Sequence, residues 1–218
     1  MGEADVDGGY ERVVLVHGLW MHGVVFSLFS RRLGRMGFDA QTYSYPTVRS
    51  GLGENASKLH RYIVRSGSRH VHLVGHSLGG LVVLRMLADR DVPWIGRVVL
   101  MGAPCDGCHC AGWLAHWPGG DAVLGRSMQD WLRSGGVQSL SKAHEIGVIA
   151  GNRSFGTGRL IPGLARPNDG VVAVQETRLD SAQDRLVLPV THSQMLVSRI
   201  CVEQTAHFLR TGSFQRDG

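Results

Sequence analysis

Six short runs, all but 40–45 rich in Val, Leu and Ile, recur along the chain, at residues 12–16, 40–45, 70–74, 97–101, 146–149 and 185–190. Several are continuously apolar rather than alternating, the pattern of strands buried on both faces of a parallel sheet. Helical spacing appears between them. Residues 24–36 set Phe26, Phe29, Leu33 and Met36 near one face, and residues 54–65 do the same with Leu59, Tyr62 and Ile63. Residues 78–88 are strongly apolar, and 195–209 form a last helical stretch. This alternation predicts an α/β fold, a mostly parallel sheet of about six strands flanked by helices. The 218 residues suit one domain spanning 1–218 and need neither disulfides nor a metal to build a core. The longest stretch outside the rhythm, 105–143, reads as a short insertion.

Composition narrows the picture. With 43% hydrophobic residues the chain is too apolar for disorder, and its 30 glycines follow no collagen period. The net charge of +5 comes almost wholly from arginines, Lys58 and Lys142 being the only lysines. They are scattered, with Arg31, Arg32 and Arg35 the densest group, so no basic stripe for nucleic acid is expected. Residues 13–30 carry no Lys, Arg, Asp or Glu, but His17-Gly18 and His22-Gly23 break them. That suits a strand, a loop and a helix start better than a membrane span, and no integral membrane association is expected. The first ten residues lack a basic leader region, so the expected location is the cytoplasm.

The sharpest signal is Gly75-His76-Ser77-Leu78-Gly79-Gly80, between a strand run and an apolar helix run. It matches G-x-S-x-G, in which a serine on a tight strand-to-helix turn projects its hydroxyl from the sheet edge. Glycines flank it because a Cβ would crowd the turn. A serine needs a base, itself oriented by a carboxylate. His192 follows the final strand run, at the sheet edge that also carries Ser77, whereas His207 falls inside the last helix. Asp169, in the Asn168-Asp169-Gly170 turn, is the candidate acid, with Glu176, Asp180 and Asp184 behind it. An oxyanion formed at Ser77 needs N–H donors; the Leu78 amide is one, and Leu19, with Trp20 as its alternative, the other.

His17-Gly18, the 75–80 turn, Asn168-Asp169-Gly170 and His192 resemble the α/β-hydrolase superfamily, most closely its small bacterial serine esterases and lipases. The resemblance runs from Val13 to Leu209. It implies an α/β-hydrolase fold and hydrolysis of a small ester or lipid-like substrate through an acyl-enzyme on Ser77. His192 would act as base then acid, Asp169 would orient it, and neither metal nor organic cofactor is implied. In this superfamily the 105–143 position often holds a cap. It contains Trp113, Trp117 and Trp131, which with Trp20 and His76 are the candidate substrate contacts. Leu124, Met128, Trp131 and Leu132 form an apolar face that either covers the sheet or lines an acyl pocket.

Other readings stay open. The same triad serves thioesterases, amidases and acyltransferases, and the fold also serves silent binding modules. Cys105, Cys108, His109 and Cys110 invite zinc, but the second ligand pair is missing, so reduced thiols are expected and no metal is assigned. Gly156-Thr157-Gly158 lacks the following helix of a dinucleotide loop.

Overall fold

A computed structural model describes residues 11–68, 70–135, 144–156 and 161–216. Residues 136–143 of the expected insertion, and part of the 156–158 turn, lie outside the described residues.

Each of the six runs overlaps a strand, the second shifted two residues earlier than expected: β1 Glu11–Val16, β2 Phe38–Tyr43, β3 Val71–His76, β4 Ile95–Met101, β5 Ile146–Gly151 and β6 Asp184–Leu188. They form one parallel sheet in the order β2-β1-β3-β4-β5-β6. The central strands β3 and β5 are buried at every residue, which is why they are apolar without alternation. The edge strands differ. β2 exposes the polar Gln41 and Thr42, and β6 alternates half-buried and exposed positions, exposing Arg185 and Val187.

Helices cover both faces. On one side α1 Ser27–Arg35 and α6 Arg199–Thr211 bury Phe29, Leu33, Phe208 and Leu209 against the sheet. On the other, α2 Leu52–Arg65 and α3 Leu78–Asp89 enclose Leu59, Ile63, Leu81 and Leu84. α3 is apolar on nearly every face because it sits between the sheet and the helices outside it, with only Arg85 and Asp89 paired at its C-terminal end.

The stretch between β4 and β5 forms two helices, α4 His109–Ala115 and α5 Gly120–Ser134. The sequence pattern marks only the second. α5 is broken at Gly125, whose φ of 67° and ψ of 171° are not helical. A Cβ there would lie 2.5 Å from the Val48 Cα, so the break needs glycine twice over, for its φ and for its closeness to the chain after β2. Among the described residues no helix is long and apolar enough to cross a membrane.

Candidate active site

The parallel sheet brings the ends of β1, β3, β4 and β5 to one edge, and the candidate residues sit there. Ser77 joins β3 directly to α3 with φ 54° and ψ −125°, a left-handed conformation that a non-glycine residue adopts only when its surroundings enforce it. Here α3 is driven against β1. A Cβ on Gly79 would stand 2.1 Å from the Val16 carbonyl oxygen, and one on Gly75 would stand 2.5 Å from the Gly80 Cα. The Ser77 amide donates to the Met101 carbonyl at 2.9 Å, pinning the turn to β4.

Asp169 and His192 meet. Asp169 Oδ2 accepts from His192 Nδ1–H at 2.7 Å, and both side chains are buried. The other oxygen, Oδ1, accepts the amides of Val171 and Val172 at 2.9 and 2.8 Å. The His192 amide closes the arrangement on the Asp169 carbonyl at 2.9 Å. With Nδ1 occupied, Nε2 is the nitrogen left for other chemistry. The fallback carboxylates stand elsewhere. Glu176 accepts the amides of His109 and Ala173, Asp180 pairs with Arg178, and Asp184 pairs with Arg216.

Ser77 and His192 open onto one cavity of about 240 Å³, walled largely by apolar side chains that include Leu19, Leu114, Leu124 and Met128. Ser77 Oγ has no hydrogen-bond partner among the described residues, so the hydroxyl is uncommitted. A larger groove of about 580 Å³ lies between α2 and the first two strands, lined by Arg12, Gln41, Lys58 and Tyr62 among others, and holds none of the candidate residues.

The amides of Leu19 and Leu78 have no hydrogen-bond partner among the described residues. The Trp20 amide is taken by Thr47 Oγ1 at 3.3 Å, which leaves Leu19 as the free donor of the two. The loop carrying Leu19 is braced from behind by His17, whose ring stacks on Tyr45 at 4.6 Å while the Tyr45 hydroxyl donates to the His17 carbonyl at 2.8 Å. Burial lowers the His17 pKa and keeps the ring neutral.

Of the expected substrate contacts only Trp20 lines the cavity. His76 is fully buried beneath His192, and its Nε2–H donates to the His192 carbonyl at 3.0 Å. Burial, with the neighbouring His192 ring, holds the His76 pKa well below the ordinary imidazole value. Trp131 faces the core with 2% of its surface exposed, and Trp113 packs on the outward Trp117 with ring centroids 5.1 Å apart. Tryptophan is large and apolar enough to serve a core or a surface pair as readily as a pocket. The apolar face of α5 divides: Leu124 and Met128 line the cavity while Trp131 joins the core.

Cys108 and Cys110, weighed in the sequence for metal, also line the cavity. Burial pushes their thiols up to about 12 and about 11, and all three cysteines of the cluster are free thiols. Among the described residues no group of His, Cys, Asp or Glu is placed to hold a metal ion. No periodic signal marks these wall positions, because α4 meets the 161–172 loop only in three dimensions.

Residues 13–195 match the model of the "Alpha/beta hydrolase family". No curated protein sequence matches the chain. Among solved structures, a mature lipase from Bacillus licheniformis is 20% identical, with a TM-score of 0.75 over 97% of this chain and 96% of that one. A metagenomic carboxyl esterase is 21% identical, with a TM-score of 0.62 over 86% of this chain and 66% of that one. A lipase-esterase related protein from Clostridium acetobutylicum is 12% identical, with a TM-score of 0.60 over 93% of this chain and 94% of that one. At such identities the likeness is one of fold.

Proposed function

The chain belongs to the alpha/beta hydrolase family, and from that premise we propose that it is a serine hydrolase cleaving carboxylic esters of apolar acyl groups. The observation that carries this reading is the buried Asp169–His192 pair, 2.7 Å apart, with Ser77 and His192 opening onto one apolar cavity. Among the described residues the cavity wall carries no Asp, Glu, Lys or Arg, which agrees with an uncharged acyl group. The esterase and lipase names of the structural relatives agree with it.

In the proposed reaction His192 Nε2 takes the Ser77 hydroxyl proton as Oγ bonds to the ester carbonyl carbon. The carbonyl oxygen becomes an oxyanion, which the Leu19 and Leu78 amides hold. The intermediate collapses as the C–O bond to the alcohol breaks, and the His192 proton leaves with that alcohol. Water then repeats the sequence on the acyl-enzyme: Nε2 takes a proton, the new hydroxyl adds to the carbonyl, and Ser77 regains its proton as the acid departs. Asp169 keeps the His192 proton on Nδ1 throughout and stabilises the imidazolium. Each oxyanion donor accounts for a factor of about 10²–10³ in kcat.

The experiment is hydrolysis of aryl esters of increasing acyl length, run beside thioesters, amides and Ser77→Ala. Ester turnover that Ser77→Ala lowers by about 10⁴–10⁶ is expected. Faster cleavage of thioesters or amides reassigns the substrate class, and unaltered turnover by Ser77→Ala ends the mechanism.

A further inference from the structure

Trp20 leaves 63% of its surface exposed, yet its backbone sits at φ 60°, where a bulky residue is strained. Such a conformation persists only when neighbours over-determine it. Two hydrogen bonds do so. The Trp20 amide donates to Thr47 Oγ1 at 3.3 Å, and the indole Nε1–H reaches across to the Val123 carbonyl at 2.8 Å.

The Val123 carbonyl is open to the indole because α5 breaks two residues later. In an unbroken helix each carbonyl takes the amide four residues on. At the break that ladder is interrupted, and the Arg126 amide, which would serve Ala122, donates instead to the Val48 carbonyl at 2.9 Å. The turn at 47–48 therefore receives both Trp20 and the break in α5. Beyond the break α5 is fastened to the chain around α2: Ser127 Oγ donates to the Ser50 carbonyl at 2.9 Å, Asn55 Nδ2 donates to Ser127 Oγ at 2.8 Å, and the Leu52 amide donates to Asp130 Oδ2 at 3.0 Å. Ahead of the break, the indole bond is the one described hydrogen bond tying residues 120–124 to the loop after β1.

Leu19, Trp20, Leu124 and Met128 all line the cavity, and Leu124 and Met128 flank the break. One bond thus joins the loop that presents the Leu19 amide to the wall that bounds the acyl chain. We propose that Trp20 is a positioning and specificity-determining residue, whose indole N–H clasps α5 to hold the Leu19 amide on the oxyanion and set the acyl length the cavity accepts. This rests on the ester-hydrolase reading of the Ser77 site. The ring supplies cavity wall, but the N–H supplies the coupling between wall and amide.

The test is Trp20→Phe, which keeps an aromatic ring and removes the donor, with kcat and KM measured separately over an acyl series. Loss of the clasp lowers kcat on short-chain esters about threefold to tenfold with KM within about twofold. Long-chain esters lose less, so the length optimum moves upward. Unchanged kcat, or an equal loss at every length, overturns the proposal. If Trp20→Phe fails to fold, benzothienylalanine at position 20 replaces the N–H by sulfur in the same ring outline, and the same two outcomes apply. A wild-type protein that cleaves no ester removes the hydrolase reading and the clasp's role with it. An active wild type matched by Trp20→Phe removes the clasp alone.

Discussion

Replacing Asp169 by Asn changes one oxygen to a nitrogen and leaves the volume nearly alone, so its effect is worked directly from the hydrogen bonds. Asp169 presents Oδ1 to the Val171 and Val172 amides and Oδ2 to His192 Nδ1–H. A carboxamide has one end that accepts and one that donates. Turning its NH2 toward the two amides would leave buried donors facing each other, at about 1–3 kcal/mol for each unpaired group. The amide oxygen therefore keeps the Oδ1 position and the NH2 meets Nδ1. Nδ1 must then be bare, which moves the imidazole proton to Nε2, the atom that has to accept the Ser77 proton. A base held in the wrong tautomer costs about 10⁴ in kcat. The assay is aryl-ester hydrolysis by Asp169→Asn, with thermal unfolding alongside to verify the fold. Activity within tenfold of wild type in a folded variant would move the acid to another carboxylate.

Three further outcomes follow from the same geometry. Burial holds the His72 pKa at about 4, with the His70 ring adding to it, while Nδ1 accepts the Arg97 amide at 2.8 Å. The unfolded chain takes up that proton near pH 6.5, so the contribution to stability is present above pH 6.5 and is lost as the pH falls toward 4. At full size it is about 3 kcal/mol. His72→Asn, whose Oδ1 can replace Nδ1 as acceptor, is expected to flatten the fall of the melting temperature over that window; an unaltered slope would contradict the assignment. Gly79→Ala drives a Cβ into the Val16 and His17 carbonyl oxygens. It is expected to cost about 3 kcal/mol or more and to lower the melting temperature by roughly 6–12 °C, and a melting curve that overlays the wild type would contradict the close approach. Glu176→Gln removes one of the two acceptors that hold the amides of His109 and Ala173. It should lower stability by about 1–3 kcal/mol yet reduce kcat far less than Asp169→Asn. Equal losses of kcat would place the working acid at Glu176.

The inner strands were legible because a parallel sheet covered on both faces demands unbroken apolar runs, a requirement local enough to read, whereas the edge strands β2 and β6 carry a weaker, mixed pattern. The placements of Ser77, Asp169 and His192 were legible for a related reason: each lies beyond the end of a strand, and parallel strands bring those ends together. α4 was not, because its start depends on Glu176, 67 residues away, accepting the His109 amide. The tryptophans misled. Trp131 has the spacing of a pocket residue, but the break at Gly125 turns the second half of α5 onto α2 and α3, so Leu124 and Met128 reach the cavity and Trp131 the core. His76 lies next to the serine in sequence, yet a strand sends neighbouring side chains to opposite faces, and its ring lies under His192 instead of in the pocket. The charge of +5 acquires no role in the proposed reaction.

Whether Ser77 carries the acyl group is tested by quenching the protein in acid during turnover of a slowly deacylating aryl ester and mapping the adduct by peptide mass spectrometry. The expected result is a mass increase equal to the acyl group on the peptide containing Ser77, absent from Ser77→Ala. An adduct on another residue, or steady turnover with Ser77 unmodified at every time point, would contradict it.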